Sequence, residues 1–390
     1  MPQQPNSRPL RLALISSYAS SLVNFRGPLI RDLVRAGVAV FALAPDYDPA
    51  LRERMQALGA APVGYSLSRA GMSPARDGLD TLRLAMLLRR LRVDMSFGYF
   101  IKPVIYGTLA AWLAGVPRRF AMIEGLGYVF TSAGGVEPWR RRLLRHAVSR
   151  LYGIALRRAE RVLFLNGDDV AEFVSRGVVP EAIAIKLGGI GVDLSEWQPA
   201  PAVTEPITFL LAARLLREKG IVEYAGAARR VKALYPQARF VLLGSPDPNP
   251  GGLSRDEVEA WVSEGLLEWP GHVEVKPWLA RTSVYVLPSY REGVPRSTQE
   301  AMAMARPVIT TDAPGCRETV VEGANGFLVP VRDVEALAAR MIRFIETPAL
   351  IPAMGCESRR LAEERFDVRR INAHILNVLG VRSVAEPAGA

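Results

Sequence analysis

Only two cysteines, Cys316 and Cys356, and three histidines, His146, His272 and His374, occur in this 390-residue chain. The cysteines stand outside any CxxC or metal-ligand spacing, and no histidine has ligand spacing to another, so no metal site is expected. So small a thiol content fits a reducing cytosol better than an exported, disulfide-built chain, although two cysteines could pair. The first eight residues are polar and proline-bearing with no apolar signal core behind them, and export is not expected. Long apolar runs are also missing. The nearest, from Phe97 to Val116, is broken by Lys102, Pro103 and glycines, short of the roughly 20 uninterrupted residues a membrane span needs, and reads equally as a buried α/β segment. Neither opening strand is followed by GxGxxG, which weakens the case for a dinucleotide-dependent oxidoreductase. No internal repeat or low-complexity run interrupts the chain.

What is present is a large apolar complement, 49% of residues, on a chain longer than one core usually supports, so two domains are expected. The formal charge of +10 is unevenly spread. Residues 1 to 195 carry 26 Lys/Arg against 15 Asp/Glu, a surplus of 11, and residues 196 to 390 carry 23 against 24, a deficit of 1. The first half is therefore the part expected to meet something anionic. From Pro138 to Arg161, eight arginines (140, 141, 142, 145, 150, 157, 158 and 161) interleave with Trp139, Leu143, Leu144, Leu151 and Tyr152. Such a helix suits the headgroup region of an anionic bilayer, or else is a solvated basic face on a core-packed helix. No nucleic-acid reading motif or aromatic platform accompanies these arginines, so a nucleic-acid partner is not expected.

Strand, loop and helix patterns occur twice. Leu10–Ser16 reads as a strand, followed by a polar loop through Phe25-Arg26-Gly27-Pro28, a helix from Leu29 and a strand over 39–44. The second passage has a strand within 206–214, a helix over about 220–234 and strands over 239–244, 284–288, 307–311 and 327–330. Alternation of this kind implies parallel sheets covered on both faces. A proline-rich joint at Gln198-Pro-Ala-Pro-Ala202 places the boundary near 201. The expected division is 1–200, 201–365, and a terminal helix within 366–382 that periodicity alone assigns to neither.

Ligands of open parallel sheets bind beyond the carboxyl ends of the strands, so polar residues just past strand ends matter most. Arg214 and Lys219 follow one strand at the entry of a helix, where dipole, amides and side chains of one sign suit a diphosphate. After the 284–288 strand comes Ser289-Tyr-Arg-Glu292-Gly-Val-Pro-Arg-Ser-Thr-Gln-Glu300. Two carboxylates, one on a loop and one early in a helix, could face one cavity and accept from sugar and ribose hydroxyls. Ser297-Thr-Gln-Glu300 is also a capping box, which gives Glu300 a purely structural alternative.

Glu292-x7-Glu300, with Arg214, Lys219 and Gly189-Ile-Gly-Val-Asp193, resembles glycosyltransferase family 4, the large retaining GT-B family, over nearly the whole chain. Tyr290-Arg-Glu-Gly-Val-Pro-Arg-Ser297, Glu124-Gly-Leu-Gly-Tyr-Val-Phe130 and Leu22-Val-Asn-Phe-Arg26 resemble its bacterial branch acting on undecaprenyl-diphosphate-linked sugars. The resemblance implies an α/β fold of two Rossmann-like domains facing across a cleft, with the terminal helix crossing back to the first. It assigns Arg214 and Lys219 to a donor diphosphate, Glu300 to ribose, and Glu292 with the amides near Gly293 and Val294 to the donor sugar. Gly244 and Val273 would lie near the base. Gly27 would sit in a first-domain loop approaching the phosphates. Where many relatives have histidine this chain has Glu124, which either contacts donor or acceptor hydroxyls or satisfies the following glycine turn.

The implied activity is metal-independent, retaining transfer of a sugar, an N-acetylhexosamine by branch resemblance, from a UDP-sugar co-substrate to a lipid-diphosphate-linked saccharide. No other cofactor is expected. The implied place is peripheral, at the cytoplasmic inner face of the cell membrane. A nucleotide-sugar 2-epimerase of the same architecture is the rival reading.

Overall fold

A computed structural model describes residues 8–67, 73–125, 139–247, 249 and 251–382, and the chain forms two compact units. The first alternates β1 (Arg11–Ile15), α1 (Ala19–Arg35), β2 (Ala39–Ala44), α2 (Pro49–Ala57), β3 (Ala61–Gly64), α3 (Pro74–Leu91) and β4 (Met95–Tyr99). It continues with α4 (Thr108–Leu113), β5 (Arg118–Ile123), α5 (Trp139–Leu156), β6 (Arg161–Phe164), α6 (Gly167–Ser175) and β7 (Ala184–Lys186). Its seven strands are parallel in the order β3-β2-β1-β4-β5-β6-β7. The centre is dry: Leu12–Ile15 and Phe97 are fully buried, as expected of strands covered on both faces.

The second unit contains β8 (Thr208–Ala212), α7 (Ile221–Leu234), β9 (Arg239–Leu243), α8 (Arg255–Ser263), β10 (Glu268–Gly271), α9 (Lys276–Ala280) and β11 (Val284–Leu287). Then come α10 (Arg296–Ala303), β12 (Val308–Thr311), β13 (Gly326–Val329), α11 (Val334–Glu346) and α12 (Leu350–Arg365). Six parallel strands run β10-β9-β8-β11-β12-β13. Its core gathers Phe209, Leu211, Tyr224, Phe240, Val286, Ile309 and Phe344 from both layers. The Tyr224 hydroxyl, buried among them, donates to the carbonyls of Phe209 and Val241, so burial leaves no polar group unmatched there.

Three expectations need correction. The units part at Leu187/Gly188, not near 201. The proline-rich stretch is fastened to the second unit: Arg306, fully buried, donates to the carbonyls of Pro201 and Thr282, and Arg359 donates to those of Trp197 and Ala303. Residues 25–28 are not a loop. They lie inside α1, whose buried stripe of Leu22, Leu29, Ile30 and Leu33 outweighs the breaker signal of Gly27 and Pro28. The segment from Phe97 to Val116 supplies the end of β4, a π-helical turn over Pro103–Gly107 and α4, and no described helix is long and apolar enough to cross a membrane.

The chain returns to the first unit at Arg369, within α13 (Val368–Leu379). Asn372 donates to Asp32 at 2.7 Å, and Arg118 donates to the Leu379 carbonyl at 2.7 Å. Both cysteines are free; Cys316 is buried and Cys356 exposed. Burial, with Glu292 adding to it, pushes the Cys316 thiol up to about 12. A thiolate is the reactive form, so a colorimetric thiol titration of the native protein should find one reactive group, and two after denaturation. Two in the native state would contradict the packing around Cys316.

Candidate functional site

In the second sheet the chain steps outward from β8 to β9 and β10, then returns to β11 on the other side of β8. The carboxyl ends of β8 and β11 therefore form its switch point, where flanking loops turn away from each other and leave a crevice. Arg214 and Lys219 follow β8, and Ser289 to Glu300 follow β11.

Lys219 ends a single 3-10 turn, Arg217–Lys219, after which Gly220 turns left-handed (φ +72) to start α7. That glycine is obligatory, since a Cβ there would lie 2.1 Å from the Pro288 carbonyl oxygen at the end of β11. The two loops are thus locked together by backbone. The Tyr290 amide reinforces this by donating to the Glu218 carbonyl at 2.9 Å. With the loops fixed, the Lys219 ammonium meets Glu292 Oε1 at 2.5 Å, both side chains being about 15% exposed. Ser289 Oγ donates to the same carboxylate oxygen at 2.8 Å.

Glu300 lies on α10, whose N-cap is Pro295, two residues earlier than a Ser297 cap would require. The capping-box alternative is not realised. Instead Glu300 Oε1 accepts from Arg296 Nε at 2.8 Å. Burial pushes the Glu300 carboxyl up, partly offset by Arg296. Close to both acids, the buried Tyr285 hydroxyl donates to the Ala212 carbonyl at 3.1 Å, and Glu300 and Glu292 both act on it electrostatically. Gly293 and Val294 are buried in the run that leads into α10, whose first amides receive no side-chain cap.

Arg214 is placed differently. It extends toward the neighbouring loop after β9, donating to Asp247 at 2.8 Å while remaining half exposed. Burial raises the Asp247 carboxyl, but the Asn249 amide and Arg214 outweigh it and hold the group below the usual carboxylate range. Lys219 and Arg214 therefore flank the end of β8 from opposite sides. Gly244, at φ +146, is required by close approach to Ala213, where a Cβ would come within 1.9 Å of the carbonyl oxygen. Val273 is partly exposed just past β10.

Two assigned residues lie in the first unit. Gly27 is in the middle of α1, not in a loop, and a Cβ there would make ordinary contact with Leu58. Glu124 follows β5 and pairs with Arg26, which is 2% exposed and stacked over the Tyr99 ring at 4.8 Å. Residues 126–130 of the Glu124 motif lie outside the described residues. Sequence reasoning missed Asp247, Tyr285, Ser289, Arg296 and Arg26 as participants. Arg26 was misjudged because its segment read as a loop, while Asp247 carries no local signal at all.

Glu300 supplies a pH test. Its folded carboxyl holds the proton more tightly than the unfolded one, so ionisation costs stability as pH rises above the ordinary carboxylate value, and the cost vanishes below it. Glu300→Gln should therefore gain Tm at pH 7 by roughly 2–4 °C relative to wild type, and lose that gain near pH 4. It should also weaken donor binding about tenfold by removing an ionised acceptor. A Tm difference independent of pH would contradict the assignment.

Comparison with known proteins follows the same division. Residues 26–187 match the family model described as Glycosyl transferase 4-like domain, and residues 206–347 match Glycosyl transferases group 1. The chain is 28% identical, over 87% of its length and 91% of the relative's, to N,N'-diacetylbacillosaminyl-diphospho-undecaprenol alpha-1,3-N-acetylgalactosaminyltransferase of Campylobacter jejuni subsp. jejuni. Among solved structures it is similar in fold to sucrose-phosphate synthase of Thermosynechococcus elongatus (TM-score 0.75, 19% identity, covering 95% of this chain and 98% of that one). It is likewise similar to Anabaena HepE in complex with UDP (TM-score 0.74, 17% identity, 95% and 99%). The epimerase reading finds no support among these relatives. With two parallel α/β units, acids and a lysine gathered at the second switch point, and both halves matched in order, the chain belongs to the glycosyltransferases of group 1, with a 4-like domain ahead of the group 1 domain.

Proposed function

We propose that this glycosyltransferase moves an N-acetylhexosamine from a UDP-sugar to a saccharide carried on a lipid diphosphate, with retention at the anomeric carbon and without a metal. The observation that carries the reading is the Lys219–Glu292 pair at the β8/β11 switch point, flanked by Arg214 and Glu300. Lys219, Arg214 and the uncapped amides of α10 would offset charge on the departing diphosphate. Preorganised donors of this sort need no solvent rearrangement as charge develops. Glu300 would hold the ribose hydroxyls, and Glu292 a donor-sugar hydroxyl. Gly293 and Val294 would offer backbone amides to the sugar, and Gly244 and Val273 would border the base. The acceptor hydroxyl attacks on the face the diphosphate leaves, its proton passing to a donor phosphate oxygen. The lipid-linked acceptor is argued from the Campylobacter relative, whose substrate is a diphospho-undecaprenol sugar.

Incubation of the enzyme with UDP-N-acetylgalactosamine or UDP-N-acetylglucosamine and a short prenyl-diphosphate N-acetylglucosamine should yield a disaccharide with the donor's anomeric configuration by NMR. Inverted product, or exchange of solvent deuterium into the nucleotide sugar without transfer, would refute the reading. The base can be checked separately. UDP at ~100 times its dissociation constant should stabilise the protein by about 2.7 kcal/mol, and ADP and GDP at the same concentration by less.

Peripheral attachment to an anionic membrane surface, at the cytoplasmic face, completes the proposal. On α5, Val148, Tyr152, Ala155 and Leu156 are buried, while Arg142, Arg150, Leu143 and Ile154 point outward. Beside them Arg158 lies 4.2 Å over the half-exposed Trp112 ring. Basic and apolar groups sharing one exposed surface suit a headgroup layer. In flotation, the protein should rise with phosphatidylglycerol vesicles at about 50 mM salt and lose most binding on Arg142→Glu/Arg150→Glu substitution. No flotation of wild type would remove this element.

A further inference from the structure

The stretch after β8 carries three cations, Arg214, Arg217 and Lys219, and each is paired with an acid: Asp247, Glu257 and Glu292 in turn. The acids differ in how firmly they are held. Glu257 is 39% exposed and belongs to α8, where it closes a capping box with Ser254. The Asp247 side chain is only 8% exposed, although its partner Arg214 is 53% exposed. An exposed ion pair contributes little to stability, and a covered carboxylate has desolvation to recover, so stability alone gives no reason to place an acid there.

The loop after β9 fixes that acid. Asp247 Oδ1 accepts from the Asn249 backbone amide at 2.9 Å and from Asn249 Nδ2 at 2.5 Å, which leaves Oδ2 for Arg214 at 2.8 Å. The loop is itself laced to the stretch after β8. Leu215 donates to the Ser245 carbonyl at 3.1 Å, Leu253 to the Leu215 carbonyl at 2.8 Å, and Arg217 to the Gly251 carbonyl at 2.9 Å. Carboxylate and arginine therefore stand on one frame. Among the described residues Asp247 is the one hydrogen-bond partner of Arg214, so the rest of the five-donor fork is open to a ligand.

A free arginine side chain loses rotamer entropy when an anion immobilises it. One already held by a fixed carboxylate loses less, and a preorganised donor binds more tightly. The negative charge of Asp247 opposes an anion, but Arg214 and two N–H donors neutralise it before any ligand arrives.

We propose that Asp247 is a positioning residue for the donor: it holds the Arg214 guanidinium ready for the diphosphate, and the grip on the phosphates depends on it without its touching them. This rests on the transferase function proposed above and adds what makes Arg214, half exposed as it is, a fixed phosphate ligand.

UDP titration calorimetry on a double-substitution set tests it. Asp247→Asn should raise the UDP Kd about tenfold, and on an Arg214→Ala background the same change should move it by less than about twofold. Uridine, which has base and ribose but no phosphate, should bind wild type and Asp247→Asn with the same constant in a ligand-observed NMR titration. Glu257→Gln removes the charge of the neighbouring pair while keeping a capping side chain, and should leave the UDP Kd unchanged. If Asp247→Asn fails to fold, Asn249→Ala loosens the carboxylate in place and should show the same pattern at about threefold. A UDP Kd unchanged or tightened by Asp247→Asn, an equal loss on the Arg214→Ala background, or uridine weakened in step would each overturn the positioning role. A wild type that does not bind UDP would overturn the proposed function and this role with it.

Discussion

Lys219→Ala should lower kcat by on the order of 10² to 10³ at saturating donor while leaving a folded protein. The size follows from where the ammonium sits. It is about 15% exposed, so its field is weakly screened, and the Gly220–Pro288 contact and the Tyr290–Glu218 bond hold it in place before substrate arrives. A fixed donor that meets charge developing on a leaving diphosphate contributes on this scale. Removing it also strands Glu292, still bonded by Ser289, in a partly buried place, so a modest fall in Tm accompanies the loss. Lys219→Arg keeps the charge but not the compact point-like ammonium, and is expected to recover only part of the rate. Steady-state kinetics with a thermal melt separate the two effects. Loss of rate proportional to loss of folded protein would contradict a catalytic role.

Gly220→Ala should be far more damaging to structure. Left-handed geometry alone costs an alanine about 1–2 kcal/mol. Here the added methyl would also lie 2.1 Å from the Pro288 oxygen and 2.7 Å from its carbonyl carbon, atoms that cannot swing aside like a side-chain tip. Gly265, at φ +70 with nothing within 4 Å of an added methyl, isolates the first term. Gly265→Ala should lose only that cost of about 1–2 kcal/mol in denaturant melts of the second unit's signal and keep UDP binding. Gly220→Ala should lose clearly more and abolish UDP binding, because the β8 and β11 loops would be pushed apart. Equal losses from the two would mean the backbone contact is not holding the site.

Much of this was legible in the sequence because parallel strands buried on both faces leave apolar runs that a reader can find. The strand over 39–44 agrees with the structure to the residue, and the terminal helix, Val368–Leu379, falls within the expected 366–382. Position along those elements then places Lys219, Glu292 and Glu300 past strand ends. Legibility failed where tertiary contacts decide. Residues 25–28 combine glycine and proline, yet α1 runs through them because its stripe is buried on the sheet and Arg26 has Glu124 to meet. The joint at 198–202 looks like a linker, but the buried Arg306, from a distant position, fastens Pro201, and Arg359 fastens Trp197 just ahead of it. Whether Glu300 caps its own helix turned on a helix start two residues away, a shift no local pattern fixes.

A crystal structure of the enzyme with UDP bound tests the central claim most directly. The account places the diphosphate within hydrogen-bonding distance of Lys219 and the ribose hydroxyls on Glu300, at the carboxyl ends of β8 and β11. UDP bound elsewhere, with Lys219 still held only by Glu292, would contradict it.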